Sequence, residues 1–179
     1  MSEAFREALW VLRAQSGDGE ALELLLRSVQ PSLLRFIGTL VGPAEADDVL
    51  QETLIRVYRK LGQLTNPQLF RPWAFRIAKR VGLRHMKHES RWLDEPVATT
   101  WLDDIPAPNA RPTTESLDEL LRAGRVTPAS RAVLILHFQE SLTFPEVAAA
   151  LELPLGTVKS RLGYCLSLLR KNLNETRSL

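Results

Sequence analysis

The sequence predicts an all-α protein of two small helical domains joined by a flexible acidic linker, on three observations. Apolar residues recur every three or four positions through most of its 179 residues, between helix-capping signals. That pattern fails between Glu89 and Glu115, where Pro96, Pro106, Pro108 and Pro112 alternate with Asp94, Glu95, Asp103 and Asp104. Beyond the break, Thr143 to Lys171 has the layout of a helix-turn-helix. The expected boundaries are therefore a domain over 1–88, a linker over 89–115 and a second domain over 116–179.

In the first domain, Leu9, Trp10, Val11 and Leu12 place a helix over Ala4 to Ala14, and Ser16-Gly17-Asp18-Gly19 supplies a turn with a cap for the next. Ala21, Leu22, Leu24, Leu25, Leu26 and Val29 give a wide apolar face. Pro31 restarts the path at a first-turn position, Leu33, Leu34, Ile37, Leu40 and Val41 continue it, and Gly42-Pro43 ends it. Ala44 to Leu61 carries acids in its first turns and Arg56, Arg59 and Lys60 in its last, which suits the helix dipole. Val49, Leu50, Leu54, Val57 and Leu61 face inward there. Asp48, Gln51, Glu52, Ile55 and Arg59 are left outward, a mixture that fits a protein partner as well as solvent.

A loop over Gly62 to Pro72 leads into a helix from Trp73 to His88, where basic and aromatic residues interleave. Arg76, Lys79, Arg80, Arg84 and Lys87 recur every three or four residues, with Ile77, Val81 and Met86 or Leu83 inward. Thr53 to His88 holds nine Lys or Arg and no Asp or Glu, whereas Glu89 to Glu119 holds eight acids and two bases. An uninterrupted basic stripe follows a phosphate backbone, and Phe70, Trp73 and Phe75 offer flat faces for unstacked bases, although core packing is the commoner fate of a Trp. In the linker, Trp92, Trp101, Leu102 and Ile105 are too apolar for an idle spacer.

In the second domain a short helix is expected over Ser116 to Ala123. Another follows over Thr127 to Gln139, opening on an N-cap Thr and a Pro at its first position. Thr143 and Glu146 have capping-box spacing, and Pro154 interrupts the pattern after Val147, Ala148 and Leu151. Val158, Leu162, Cys165 or Leu166, Leu169 and Leu173 then form one apolar stripe. Thr157, Lys159, Ser160, Arg161 and Tyr164 are left at the N-terminal end of the polar surface, where a recognition helix meets the major groove.

The single Cys165 excludes an internal disulfide and any Cys-cluster metal site. His85 and His88 belong to the basic face and His137 to core or surface, so no catalytic set, metal or cofactor is expected. No apolar run of about 18 residues or signal-peptide pattern is seen, and the expectation is a soluble cytoplasmic protein without membrane insertion.

Taken together, SGDGEALELL, AEADDVLQETLIRVYR, WAFRIAKR and TFPEVAAALELPLGTVKSRL resemble, in that order, a minimal sigma factor of the extracytoplasmic-function (ECF) group, the promoter-recognition subunits of bacterial RNA polymerase. The resemblance covers nearly the whole chain. It implies a region 2-like domain that docks on the polymerase β′ clamp and melts the −10 element, and a region 4-like domain that reads the −35 duplex near the β flap. The linker would lie in the RNA path, and an anti-sigma factor is an expected partner. It assigns Asp48, Gln51 and Glu52 to the clamp, and Phe70, Trp73, Arg76, Lys79, Arg80 and Arg84 to single-stranded −10 DNA. Thr157, Lys159, Ser160, Arg161 and Tyr164 fall to the −35 element, with Lys159 as the base contact and Arg161 as a phosphate contact or internal anchor. The chain departs from the family with Arg80 where Asn is common, Arg84 where Asp is common, Gly163-Tyr164 after the SRL triplet, and Glu152 at a turn position that favours Gly. A free-standing helix-turn-helix regulator accounts for Thr143 to Lys171 alone. A DNA-processing enzyme such as a recombinase needs a catalytic set the residues do not supply.

Overall fold

The computed structural model describes residues 3–86 and 126–176, with side chains over 4–86 and 126–168. The described residues form helices and turns without a strand. They fall into two compact units, one built on the helices before residue 87 and one on most of those after residue 125. The expected linker with its Trp92, Trp101, Leu102 and Ile105, the helix over Ser116 to Ala123, Lys87, His88, and the side chains of Leu169 and Leu173 lie outside the described residues.

The first unit opens with α1 (Glu3–Gln15) and α2 (Gly19–Val41). Asp18 caps α2 by accepting the Ala21 amide at 3.0 Å, and Arg13 holds the same carboxylate at 2.7 Å. The Ala21 amide and then the Arg13 guanidinium keep the Asp18 carboxyl below the usual carboxylate range. The cap's contribution is therefore full above that range and is lost as pH falls through the lowered value.

Pro31 does not restart the path: α2 runs through it unbroken. An interior proline costs about 3 kcal/mol. Leu25, Val29, Leu33, Phe36 and Ile37 on either side have no exposed surface, and each such side chain gains about 1.5–3 kcal/mol on burial, so packing outweighs the lost hydrogen bond. The pyrrolidine itself is exposed. Among the described residues α2 is, by length and composition alone, long and apolar enough to cross a membrane, although Arg27 and Arg35 interrupt its apolar stretch. Its apolar face is occupied by α1 and by the two helices that follow.

Gly42, at φ 88°, ends α2 in a conformation that only glycine adopts without strain, its amide donating to Gly38 at 3.1 Å. Next, α3 (Ala46–Lys60) has Asp47 and Asp48 in its first turn and Arg59 and Lys60 in its last. Two short 3₁₀ turns, Leu61–Gln63 and Pro67–Leu69, occupy the expected loop. The next helix, α4 (Phe70–Met86), starts three residues earlier than Trp73, with Pro72 in its first turn where no amide donor is needed. Gly82 marks its crossing with α2, since a Cβ there would lie 3.2 Å from Leu40 Cδ1. Phe36 and Phe75 meet edge to face at 5.3 Å.

The second unit contains α5 (Pro128–Leu134), capped by Thr127 and continuing into a π turn over Ile135–Gln139, then α6 (Phe144–Leu151) and α7 (Leu155–Thr176). Helix α5 packs on α7. His137 Nδ1 donates to the Leu142 carbonyl at 2.8 Å and its ring lies 4.6 Å from that of Phe144, which ties the π turn to the approach into α6.

Phe36 sits where α2 meets α4, fully enclosed. Phe36→Ala should destabilise the first unit by about 3–5 kcal/mol, read as an earlier first transition in urea followed by circular dichroism.

Candidate nucleic-acid interface

Reciprocal hydrogen bonds define the start of α6. The Thr143 amide and hydroxyl donate to Glu146 Oε2 at 2.8 and 2.7 Å, and the Glu146 amide returns a bond to Thr143 Oγ1 at 3.4 Å. The helix ends at Leu151, and Glu152 takes a left-handed φ of 54°, as expected of a position that favours Gly. That conformation costs a non-glycine residue roughly 1–2 kcal/mol. Leu153 donates back to the Ala148 carbonyl and Pro154 accepts from Val158, each at 3.1 Å, so the reversal into α7 is hydrogen-bonded on both sides. The element is a helix-turn-helix.

On α7, Val158, Leu162 and Cys165 are buried as the stripe requires. Lys159 and Tyr164 are exposed and Thr157 half-buried. Ser160 differs from expectation at 3% exposure, and Arg161, expected as a phosphate contact or an internal anchor, is 4% exposed on the inward side. The cause is the helical period. Arg161 follows Val158 by three positions and precedes Cys165 by four, which places it in the apolar row. The Ser160 hydroxyl donates to the Thr157 carbonyl at 3.1 Å. Of the five residues expected to face DNA, Lys159 and Tyr164 are exposed and Thr157 is half-buried, while Arg161 takes the internal-anchor place.

The basic helix divides in the same way. Arg80 and Arg84 are exposed and Arg76 half-buried, forming one outward row at successive turns of α4. Lys79, on the same row of α4 as Phe75 and Leu83, is 6% exposed. Phe70, expected as a stacking surface, is 1% exposed and is a core side chain. Its ring lies 6.3 Å from that of Trp73, which is half-buried and keeps one part of its surface open. Phe75 is wholly enclosed. The His85 ring, through Nε2, is hydrogen-bonded to the Glu45 carboxylate at the entrance to α3.

On α3, Asp48 and Gln51 are exposed and Glu52 partly so, its carboxylate accepting from Arg56 Nε at 2.9 Å. Ile55 and Tyr58 stand out beside them, Tyr58 at 60% exposure. Tyr58 escaped the sequence reading, although its spacing of three from Ile55 puts it on the same face. An ion pair between Glu7 and Arg71 was equally missed. Arg71 Nη2 reaches Glu7 Oε1 at 2.8 Å and removes that cation from the basic stripe.

The inward placement of Arg161 generates a direct contrast with Lys159. Arg161→Ala should lower the stability of the second unit by about 1–3 kcal/mol, the cost of breaking buried polar contacts, whereas Lys159→Ala should leave its thermal transition in place. Melts monitored by circular dichroism decide between them.

Two family models match the chain: Sigma-70 region 2 over residues 25–91, and Sigma-70, region 4 over residues 124–171. The RNA polymerase sigma-H factor of Pseudomonas aeruginosa is 29% identical over 165 residues, covering 85% of this chain and 86% of that protein. The ECF RNA polymerase sigma-E factor of Escherichia coli is 28% identical over 174 residues, covering 90% and 91%. Among solved structures, CnrH in complex with the cytosolic domain of CnrY superposes with a TM-score of 0.64 at 21% identity, over 95% of this chain and 98% of that one. The sigma factor RpoE from Bartonella quintana, in complex with the anti-sigma factor NepR, gives 0.60 at 21%, over 85% and 96%. With both regions matched in order and full-length relatives of the same group, the chain belongs to the ECF group of the sigma-70 family and is an alternative sigma factor of transcription initiation.

Proposed function

We propose that the two units divide promoter recognition between them, with residues 1–88 serving polymerase docking and the −10 element, 89–115 acting as linker, and 116–179 serving the −35 element. The observation that carries this reading is the outward row of Arg76, Arg80 and Arg84 on α4, beside the half-buried Trp73, in a stretch of sequence free of carboxylates from Thr53 to His88. Guanidinium groups one helical turn apart suit successive phosphates, and the Trp73 ring supplies a stacking edge for an unpaired base. Phe70 supports that ring from below, and Lys79 belongs to the packing of α4.

The exposed face of α3, with Asp48, Gln51, Glu52, Ile55 and Tyr58, suits the β′ clamp. Two aliphatic or aromatic groups ringed by polar side chains make a small desolvated centre with a solvated rim. In the second unit, α7 enters the −35 major groove. Lys159 is the base contact there, Thr157 and Tyr164 flank it, and the β flap lies nearby. The chain works in the cytoplasm without enzymatic chemistry of its own. An anti-sigma factor is its proposed regulator, since CnrH and RpoE are both seen with protein partners, RpoE's being an anti-sigma factor. A free-standing regulator or a recombinase leaves the region 2 match without a role.

Reconstitution with core polymerase tests the reading: promoter-specific initiation should depend on the added protein. The double reversal Asp48→Lys with Glu52→Lys should reduce core binding and transcription while leaving the circular dichroism spectrum unchanged. Unaltered pull-down of polymerase by that variant would remove the docking face.

Lys159→Ala should cost about 1–3 kcal/mol in −35 binding and relax preference at one or two base pairs. A competition series across −35 variants at fixed salt measures this, and unchanged base preferences would contradict the assignment.

A further inference from the structure

The region 2 match begins at residue 25, inside α2, so α1 lies outside it. Yet α1 makes directional polar ties at both ends of the segment that leads into α4. Gln15, its last residue, donates through Nε2 to the carbonyls of Leu61 and Leu64, both at 2.9 Å. Both hydrogens of that nitrogen are thereby used. The segment's own backbone order is two single 3₁₀ turns, the first closed by the Leu64 amide donating to Leu61 at 3.1 Å and the second capped by Asn66, which accepts the Gln68 amide at 3.0 Å.

At the other end, Glu7 is 3% exposed and accepts from Arg71, with Nε at 3.0 and 2.9 Å from its two oxygens and Nη2 at 2.8 Å from Oε1. The Ser28 hydroxyl adds a bond at 3.2 Å. A buried carboxylate is tolerated only with such pairing, so this ion pair has one stable arrangement and holds Arg71 to it. Arg71 sits in the first turn of α4, two residues before Trp73.

We infer that α1 is a positioning element for the −10 face. Through Gln15 and Glu7 it fixes the 61–69 segment and the first turn of α4, and thereby the Trp73 ring and the row of Arg76, Arg80 and Arg84. The inference rests on reading α4 as the −10 face. Packing of α1 on α2 and on the Pro67–Leu69 turn is non-directional, whereas the two carbonyls that accept from Gln15 set both distance and angle for the start of the loop, 46 residues away.

The test uses the full chain with core polymerase on one promoter, presented as duplex and with the −10 region pre-opened by mismatches. Gln15→Met keeps length and removes both donors; Glu7→Gln keeps shape and releases the charge on Arg71. Permanganate reactivity of unpaired thymines on the duplex should fall roughly tenfold for Gln15→Met, the scale of two lost side-chain hydrogen bonds, and fall likewise for Glu7→Gln. Polymerase affinity should stay at the parent's value, and on the pre-opened promoter both variants should match the parent. A purely structural role would lower polymerase binding in step with opening, and that result overturns the inference. Arg80→Ala belongs in the same series. If it fails to open the duplex while Gln15→Met and Glu7→Gln open it normally, the inference alone falls; if Arg80→Ala opens it normally, the −10 reading falls and takes the inference with it.

Discussion

Val29, Leu33, Phe36 and Ile37 have no exposed surface, and the helix that carries them is the wall on which α1, α3 and α4 are all seated. Seating three helices on one apolar face determines the rotation of each about its own axis. Once Val49, Leu50 and Val57 turn toward α2, Asp48, Gln51 and Ile55 have no choice but to point away. Once Phe75, Ile77 and Val81 do the same, Arg76, Arg80 and Arg84 are committed to the outside. The surface chemistry of the first unit is thus a consequence of its core, and a substitution that rotates α3 or α4 by one residue would replace both faces.

Much of this was legible because it is local. Caps at Asp18, Thr127 and Thr143 and the dipole-matched charges of α3 all follow from a few neighbouring residues, and the structure shows each of them. The failures have three physical sources. Pro31 carries a local break signal that tertiary burial overrides. Side-chain type alone points Lys79 and Ser160 outward, although the helical period puts Lys79 with Phe75 and Leu83; the same period puts Arg161 with Val158 and Cys165, in the internal-anchor place that the sequence leaves open for it. Polarity was allowed to outvote geometry. The Glu7–Arg71 pair spans 64 positions and Gln15 reaches carbonyls 46 and 49 positions away, so no window of sequence contains both partners.

The basic stripe illustrates how composition overstates an electrostatic face. Between Thr53 and His88 the sequence has nine cationic side chains. Arg56 is paired with Glu52 and Arg71 with Glu7, and Lys79 is buried. What stands outward on α4 is narrower than the count suggests but better aligned, since Arg76, Arg80, which is ion-paired with Glu152, and Arg84 share one row at the spacing of a helical turn. For binding to phosphates, alignment matters more than number. Charges dispersed around a helix are separated by protein and screened over about 10 Å at ordinary ionic strength, whereas a row delivers several contacts to one strand.

The helix-turn-helix shows the same division of labour on a smaller scale. Roughly 1–2 kcal/mol of backbone strain at Glu152 is small beside the apolar contacts of Val147, Leu151, Val158 and Leu162, all but fully enclosed, so a non-glycine residue is tolerated at the reversal. The tolerance has a structural return. A left-handed residue with hydrogen bonds on both sides has few alternative conformations, and the angle at which α7 leaves the turn is held by Leu153–Ala148 and Val158–Pro154 pairing. Arg161 is enclosed on the apolar row of α7, and Lys159 is left outward two positions away, about 200° around the axis. In this arrangement the inner cation belongs to the packing of α7 and the outer one to its surface, and it is the helical period, not side-chain type, that assigns which is which.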